Sequence, residues 1–316
     1  MNSDQLKFTQ NVKEKYNIDV LDIQKYTHRT IILNGSNGAY LLKFTNSDVE
    51  QKYEFLSNIG ISNILYPLLN NEKSYLSKGD NTYFLTNFVN NSNTLIPEVK
   101  AQTLFNDLNY IHQKTSFKRQ LSPMTSRPKF EEITKQLDYK FTLLEQFIRS
   151  VETRPLEVFS MPILSNYHYI LDAKFELVKL EKKIIQIIKD RESVEFSFVH
   201  NNPQLEHLVI NRGERYITSI DKGKIGISSL DMAKLYIEND DLNLDFRAMF
   251  KEYFSMKETD FYFEYFKFLV LFIYIKRITI TGLDYTSSQS FISSAQNIVK
   301  YFHNFKDEQS TANDSN

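Results

Sequence analysis

The sequence has no cysteine and no tryptophan among its 316 residues. Without cysteine there is no disulfide framework and no thiol catalysis, and the chain suits a reducing, cytoplasmic setting. It also lacks a net charge: 38 Lys and Arg stand against 39 Asp and Glu, leaving −1 at pH 7. A near-neutral chain offers no electrostatic case for nucleic acid or an anionic membrane as its main partner. The opening Met1-Asn-Ser-Asp-Gln-Leu-Lys7 has none of the apolar core of a signal peptide. Nor is any apolar run long enough to span a bilayer, which takes about 20 residues. The nearest candidate, Phe261 to Ile275, is shorter and carries Glu264 and Lys267, so a buried core helix is expected there.

What the chain does have is ample material for a core: 41% hydrophobic against 24% charged residues, with 25 Phe and 19 Tyr. Its length suggests one large or two ordinary domains. Thr30-Ile-Ile-Leu33 and Ala39-Tyr-Leu-Leu-Lys-Phe44 are β-type runs joined by Asn34-Gly-Ser-Asn-Gly38, a hairpin signal. Ser47 and Glu50 have the spacing of a capping box, and Val49, Tyr53, Leu56 and Ile59 then form an apolar helical stripe stopped by Gly60. Strand-like runs follow around Asn63 to Leu69 and Thr82 to Phe88, with Lys78 to Asn81 as a turn.

After Asn90 to Asn93 the pattern changes to helices, expected at about Glu98–Gln113, Phe130–Val151 and Tyr169–Asp190. A β island interrupts at Val194–Val199, His207–Ile210 and Arg215–Ile220, and helices resume from about Ser229. The fold class is therefore α+β. A small β-rich lobe with one helix occupies residues 1–90, and a helical lobe with a β insert at 194–221 occupies residues 91–306. The small polar residues 307–316 are expected to form a disordered tail.

Phosphoryl transfer is one chemistry that uses this order. It needs a cation on the phosphates, a carboxylate on the metal and a group that orients the acceptor hydroxyl. Lys43 ends the strand after the hairpin, and Glu50 and Glu54 lie on the next helix. With Glu50 assigned to the cap, Glu54 is the expected partner of Lys43. The β island contains His200-Asn-Asn-Pro-Gln-Leu-Glu-His207, then Tyr216-Ile-Thr-Ser-Ile-Asp221, then Leu230-Asp-Met-Ala-Lys-Leu-Tyr236. Earlier come Thr86-Asn-Phe-Val-Asn90 and Leu108-Asn-Tyr-Ile-His-Gln-Lys-Thr115.

In these motifs and their order, over roughly residues 20 to 300, the chain resembles the aminoglycoside phosphotransferase/choline kinase branch of the protein-kinase-like fold. The resemblance is closest to its spore-coat-protein kinase-like members. It implies a bilobal fold, ATP or another nucleotide with Mg²⁺, and a small-molecule hydroxyl acceptor or a protein partner. Carried over residue by residue, it puts Asn202 where the family has its catalytic Asp and His207 where the family has an Asn that helps hold Mg²⁺. It puts Asp221 on the metal-binding Asp. Lys43, with Glu54, would contact the nucleotide, and the backbone at Gly35 and Gly38 would cover its phosphates. An Asn can orient a hydroxyl but cannot take its proton. Imidazole suits Zn²⁺ and similar ions better than Mg²⁺.

Ordinary roles stand beside these. His200 can bond the backbone of the insert, Asp231 can cap its helix, and Asn34 to Gly38 can be a plain turn. Three readings of function stay open. One is a pseudokinase-like protein that binds a nucleotide or a partner. Another is an active ATP-dependent hydroxyl phosphotransferase. The third is a structural, spore-envelope-type protein.

Overall fold

The computed structural model describes residues 3–45, 48–78, 81–90, 95–120, 123–154, 158–191 and 193–305. It begins with a helix that the sequence pattern had not singled out, α1 (Ser3–Tyr16). Strands β1 (Val20–Lys25), β2 (Thr30–Gly35) and β3 (Gly38–Phe44) follow, then α2 (Val49–Ile59), β4 (Ser77–Lys78) and β5 (Thr82–Asn87). All five strands pair antiparallel in the order β1-β2-β3-β5-β4. The expected hairpin forms with Gly35 opposite Gly38 across Ser36 and Asn37. Alternation along β3 sorts its side chains onto two faces. Leu42 is fully buried with Val12 of α1, Leu33 and Leu85, whereas Lys43 lies on the other face, opposite Phe84. That second face belongs to α2, whose Tyr53 ring meets Phe84 edge-on at 5.8 Å. Gly60 ends α2 at φ 79, turning its amide back to the Leu56 and Ser57 carbonyls.

The segment 63–69 is not the strand that its composition suggests. Only Ile64 bridges, in parallel, to Ile217, and Pro67 has no N–H to extend the pairing. Helix α3 (Pro97–Lys114) follows, and the chain then leaves this unit. By packing, Met1–Thr115 groups with Ser197–Ile225, and Ser116–Phe196 groups with Gly226–Asn316. The sequence reading placed the break near residue 90 and gave α3 and the insert to the helical part. The capping Ser47, Gly79 and Asp80 of the expected turn, and the tail from Lys306, lie outside the described residues.

In the second unit, β6 (Phe117–Gln120) pairs antiparallel with residues 193–196 of β7 (Ser193–Val199). Helices α4 (Pro123–Glu152) and α5 (Ser160–Lys189) precede β7. Helix α5 starts well before the expected Tyr169, because Pro162 falls in its first turn, where no intrahelical N–H is needed. The strands β8 (Leu208–Asn211), β9 (Glu214–Ile217) and β10 (Lys224–Gly226) complete the insert. Helices α6 (Ser229–Asn239), α7 (Phe246–Ser255), α8 (Phe261–Arg277) and α9 (Tyr285–Phe305) follow. Asp231 was expected to cap α6; Ser228 holds the cap position, and Asp231 sits fully buried inside the first turn. Among the described residues no helix is long and apolar enough to cross a membrane. Helix α8 is the buried core helix expected of it: Glu264 is neutralised inside by Lys183 at 2.7 Å and Lys267 at 3.0 Å. The phenylalanine excess is spent here, with Phe250 and Phe266 at 4.7 Å and Tyr236 and Phe305 at 5.1 Å.

Candidate functional site

The candidate residues of the hairpin, α2 and the insert all fall in the first unit, Met1–Thr115 with Ser197–Ile225. Strand β7 delivers the chain into the loop 200–207. Its last turn is braced by Thr115, whose buried hydroxyl accepts from the Phe198 amide at 2.9 Å and donates to the Ile111 carbonyl at 2.7 Å. The Leu108–Thr115 motif thus has a mechanical role in ending α3 against the strand that enters the loop. Asn201 then adopts φ 63, a left-handed conformation that Asn tolerates, and reaches across to the Lys222 carbonyl at 3.2 Å. Buried His200 uses both ring nitrogens on backbone. Nε2 donates to the Thr218 carbonyl at 2.7 Å, and Nδ1 accepts from the Asn202 amide at 3.2 Å. Those two partners require the neutral Nε2–H tautomer. His200 therefore holds the loop, and neither ring nitrogen is spare for proton transfer.

A 3-10 turn, Leu205–His207, closes the loop onto β8. His207 Nδ1 donates to the Asn202 carbonyl at 2.8 Å, and the His200 and His207 rings lie 5.5 Å apart. Burial pushes the His207 imidazole below its usual range, opposed by its bond to Asn202 and reinforced by His200 and the Lys43 charge. A neutral ring with Nδ1–H leaves Nε2 as an acceptor. The Asn202 side chain is half-buried and makes no hydrogen bond among the described residues. Glu206 is exposed.

Beyond β9, Ser219 takes φ 62 and leads into a second 3-10 turn, Ile220–Lys222, which carries Asp221. Gly223 follows because nothing larger fits: a Cβ there would run into the Phe198 ring. Across 178 residues of sequence, Lys43 Nζ reaches the Asp221 carboxylate at 2.6 Å, with the two side chains only 20% and 14% exposed. Such shielding makes the attraction count for more than in an exposed pair. The Asp221 main-chain carbonyl accepts from Lys52 of α2 at 2.8 Å. Tyr53, fully buried beside them, has its hydroxyl pKa raised by burial, then by the Asp221 charge.

The expected partnership of Lys43 with Glu54 is not formed. Glu54 follows the buried Tyr53 and is exposed, because one helical step of about 100° turns it away from the sheet. The Glu50 carboxylate accepts from the Ser74 hydroxyl and the Tyr75 amide, and Ser47, its expected capping partner, lies outside the described residues. At the hairpin, Gly35 packs against Ile18 and Asp19, and the Ser36 amide donates to the Asp19 carbonyl at 3.1 Å. Gly38 has φ 142 and open space around it. Sequence reasoning missed Lys52, Thr115 as a brace, and Gly223. Two of these left a signal: Thr115 closes the Leu108–Thr115 motif, and Gly223 is a glycine two residues after the candidate metal ligand.

Among the described residues no group of three His, Asp or Glu side chains forms a metal site. Asp221 presents one carboxylate, paired with Lys43, and the Lys43 charge also acts on His207. A single carboxylate is a fit for an ion brought by phosphates and water, as Mg²⁺ usually is, and not for a protein-caged one.

No family model matches the chain, and no curated protein matches it. Solved structures do. A spectinomycin phosphotransferase in complex with ADP and spectinomycin is similar with TM-score 0.57 at 14% identity, over 96% of this chain and 98% of that one. An aminoglycoside phosphotransferase from Alicyclobacillus acidocaldarius gives TM-score 0.63 at 13% identity, over 93% and 92%. An amicoumacin kinase in complex with AMP-PNP and Ca²⁺ gives 0.50 at 13%, over 94% and 93%. The chain has the α+β, bilobal kinase-like fold of the aminoglycoside phosphotransferases.

Proposed function

We propose that the chain is a kinase-like nucleotide-binding protein whose phosphoryl transfer is throttled by the amide at Asn202, so that it acts chiefly through the nucleotide or partner it holds. The observation that carries this reading is the Lys43–Asp221 pair at 2.6 Å. It supports Lys43 as the cation for the phosphates and Asp221 as the carboxylate for the metal, since the two meet across 178 residues of sequence. On binding a metal nucleotide, Lys43 would exchange the carboxylate for phosphate oxygens, and Asp221 would take the ion, Mg²⁺ or Mn²⁺. Each charge leaves one partner only for another. The ADP and AMP-PNP held by proteins of the same fold support a nucleotide as the ligand.

A second reading is a slow hydroxyl phosphotransferase. The unbonded Asn202 carboxamide favours it, since its oxygen can accept from an acceptor hydroxyl and orient it. Positioning and metal electrostatics carry most of phosphoryl transfer, so orientation alone sustains some turnover.

The test is a thermal-shift titration with ATP, ADP and GTP, each with Mg²⁺, Mn²⁺ or EDTA. A ligand at about 100 times its dissociation constant adds about 2.7 kcal/mol of stability. A metal-dependent shift is expected; no shift with any nucleotide would sink the proposal. ATP turnover with a panel of small hydroxyl compounds then separates the two readings.

A further inference from the structure

Two lysines close on Asp221. Lys43 takes the carboxylate at 2.6 Å, while Lys52 donates at 2.8 Å to the main-chain carbonyl. Lys52 is itself steadied by Asp48, one turn earlier on the helix, at 2.9 Å, and is 20% exposed. We propose that Lys52 is a positioning residue for Asp221, fixing the direction of its carboxylate while Lys43 changes partners. This rests on the nucleotide-binding reading above.

The two lysine bonds differ in whether they can survive ligand binding. Lys43 holds one Asp221 carboxylate oxygen, Oδ1, at 2.6 Å, and a divalent ion on Asp221 would compete with it for the carboxylate charge, so this pair is the bond that a metal nucleotide would loosen. The Asp221 carbonyl takes no part in that exchange, and its bond to Lys52 can persist through it. The turn that carries Asp221 is a single short 3-10 turn, Ile220–Lys222, anchored inside by the buried Ile220. Ser219 enters it at φ 62, and the Gly223 amide closes it onto the Ile220 carbonyl at 2.8 Å. Asn201 holds its far end through the Lys222 carbonyl at 3.2 Å. No carboxylate of α2 reaches over to help: Glu50 is engaged by Ser74 and Tyr75, and Glu54 is exposed. Lys52 therefore supplies the polar tie between α2 and the Asp221 turn, and it is aimed at backbone, where a positioning group should be.

ATP affinity would be measured by calorimetry in Mg²⁺, Mn²⁺ and EDTA for the wild type, Lys52→Met, Lys52→Arg and Asp48→Asn, with melting temperatures taken without ligand. Lys52→Met keeps the stem and loses the donor. Its metal-dependent gain in ATP affinity should fall about 10- to 100-fold, with affinity in EDTA unchanged. Lys52→Arg should recover most of the gain. Asp48 is 61% exposed, so Asp48→Asn frees Lys52 without disturbing the interior and should show a smaller loss in the same direction, even if Lys52→Met does not fold. A Lys52→Met protein with the full metal-dependent gain overturns the proposal. So does an equal loss in EDTA with a lowered melting temperature, which would make Lys52 a packing residue. A wild type with no metal-dependent gain at all overturns the nucleotide reading itself, and this inference with it.

Discussion

At position 202 the difference between the residue present and a general base is one nitrogen in place of one oxygen. Asn202→Asp should raise ATP turnover about 10²- to 10⁴-fold, read by a coupled ADP-release assay. Unchanged turnover would remove Asn202 from the chemistry. Asp221→Ala should abolish the metal dependence of nucleotide affinity while leaving part of the affinity in EDTA; full metal dependence in the variant would show that another group holds the ion. His207 gives a pH signature. Its folded pKa is lowered, so as pH falls below about 6.5 the unfolded imidazole takes a proton that the folded one resists. The unfolded state then binds more protons, and stability drops with falling pH until the lowered folded value is passed. Replacing the ring by Asn removes that contribution. Chemical denaturation at pH 7.5 and 5.5 should therefore show a smaller acid loss in His207→Asn than in the wild type, and an equal loss would place the titrating group elsewhere.

At the scale of elements, the contact between Gly223 and the Phe198 ring ties the Asp221 turn to the entrance of the loop 200–207. Gly223→Ala should cost about 1–3 kcal/mol through overpacking, seen as a lowered denaturation midpoint. An unchanged midpoint would mean that the ring has room to move. Sequence pattern located α2, α3 and the hairpin well, through apolar periodicity and turn residues, and α8 through a continuous apolar run that the structure buries nearly all round. It failed at 63–69, a partly buried linker that makes one β-bridge, at Ile64, and one further backbone bond, from the Leu68 amide to the Leu85 carbonyl. It also failed at the partner of Lys43. Whether Glu50 or Glu54 faces a strand depends on the rotational phase of α2, which Val49, Tyr53 and Leu56 fix by burial. The partner that does form lies 178 residues away, beyond any local pattern. Asn202, His207 and Asp221 were legible through the family resemblance of the insert; the structure bonds His207 to the Asn202 carbonyl and pairs Asp221 with Lys43. Lys52 was not legible, since its bond is to a backbone carbonyl, which carries no side-chain signature.

For the whole molecule, every site residue belongs to Met1–Thr115 and Ser197–Ile225, while α4 and α5 belong to the other unit. Amide exchange measured with and without a metal nucleotide should therefore slow in residues 38–59 and 197–225 and stay unchanged across α4 and α5. Slowing confined to α4–α9 would move the ligand out of the first unit. The same division sets an order of events in time. The ribosome releases Lys43 178 residues before the carboxylate that receives it. At about 5–20 residues per second that is a delay on the order of ten to forty seconds. Through that interval the five-stranded sheet can close, yet Ile64 has no Ile217 to bridge and Lys43 has no anion across from it. A nascent chain stalled between residues 88 and 197, or a message cut short there, carries all five strands of the amino-terminal sheet and lacks the Asp221 carboxylate.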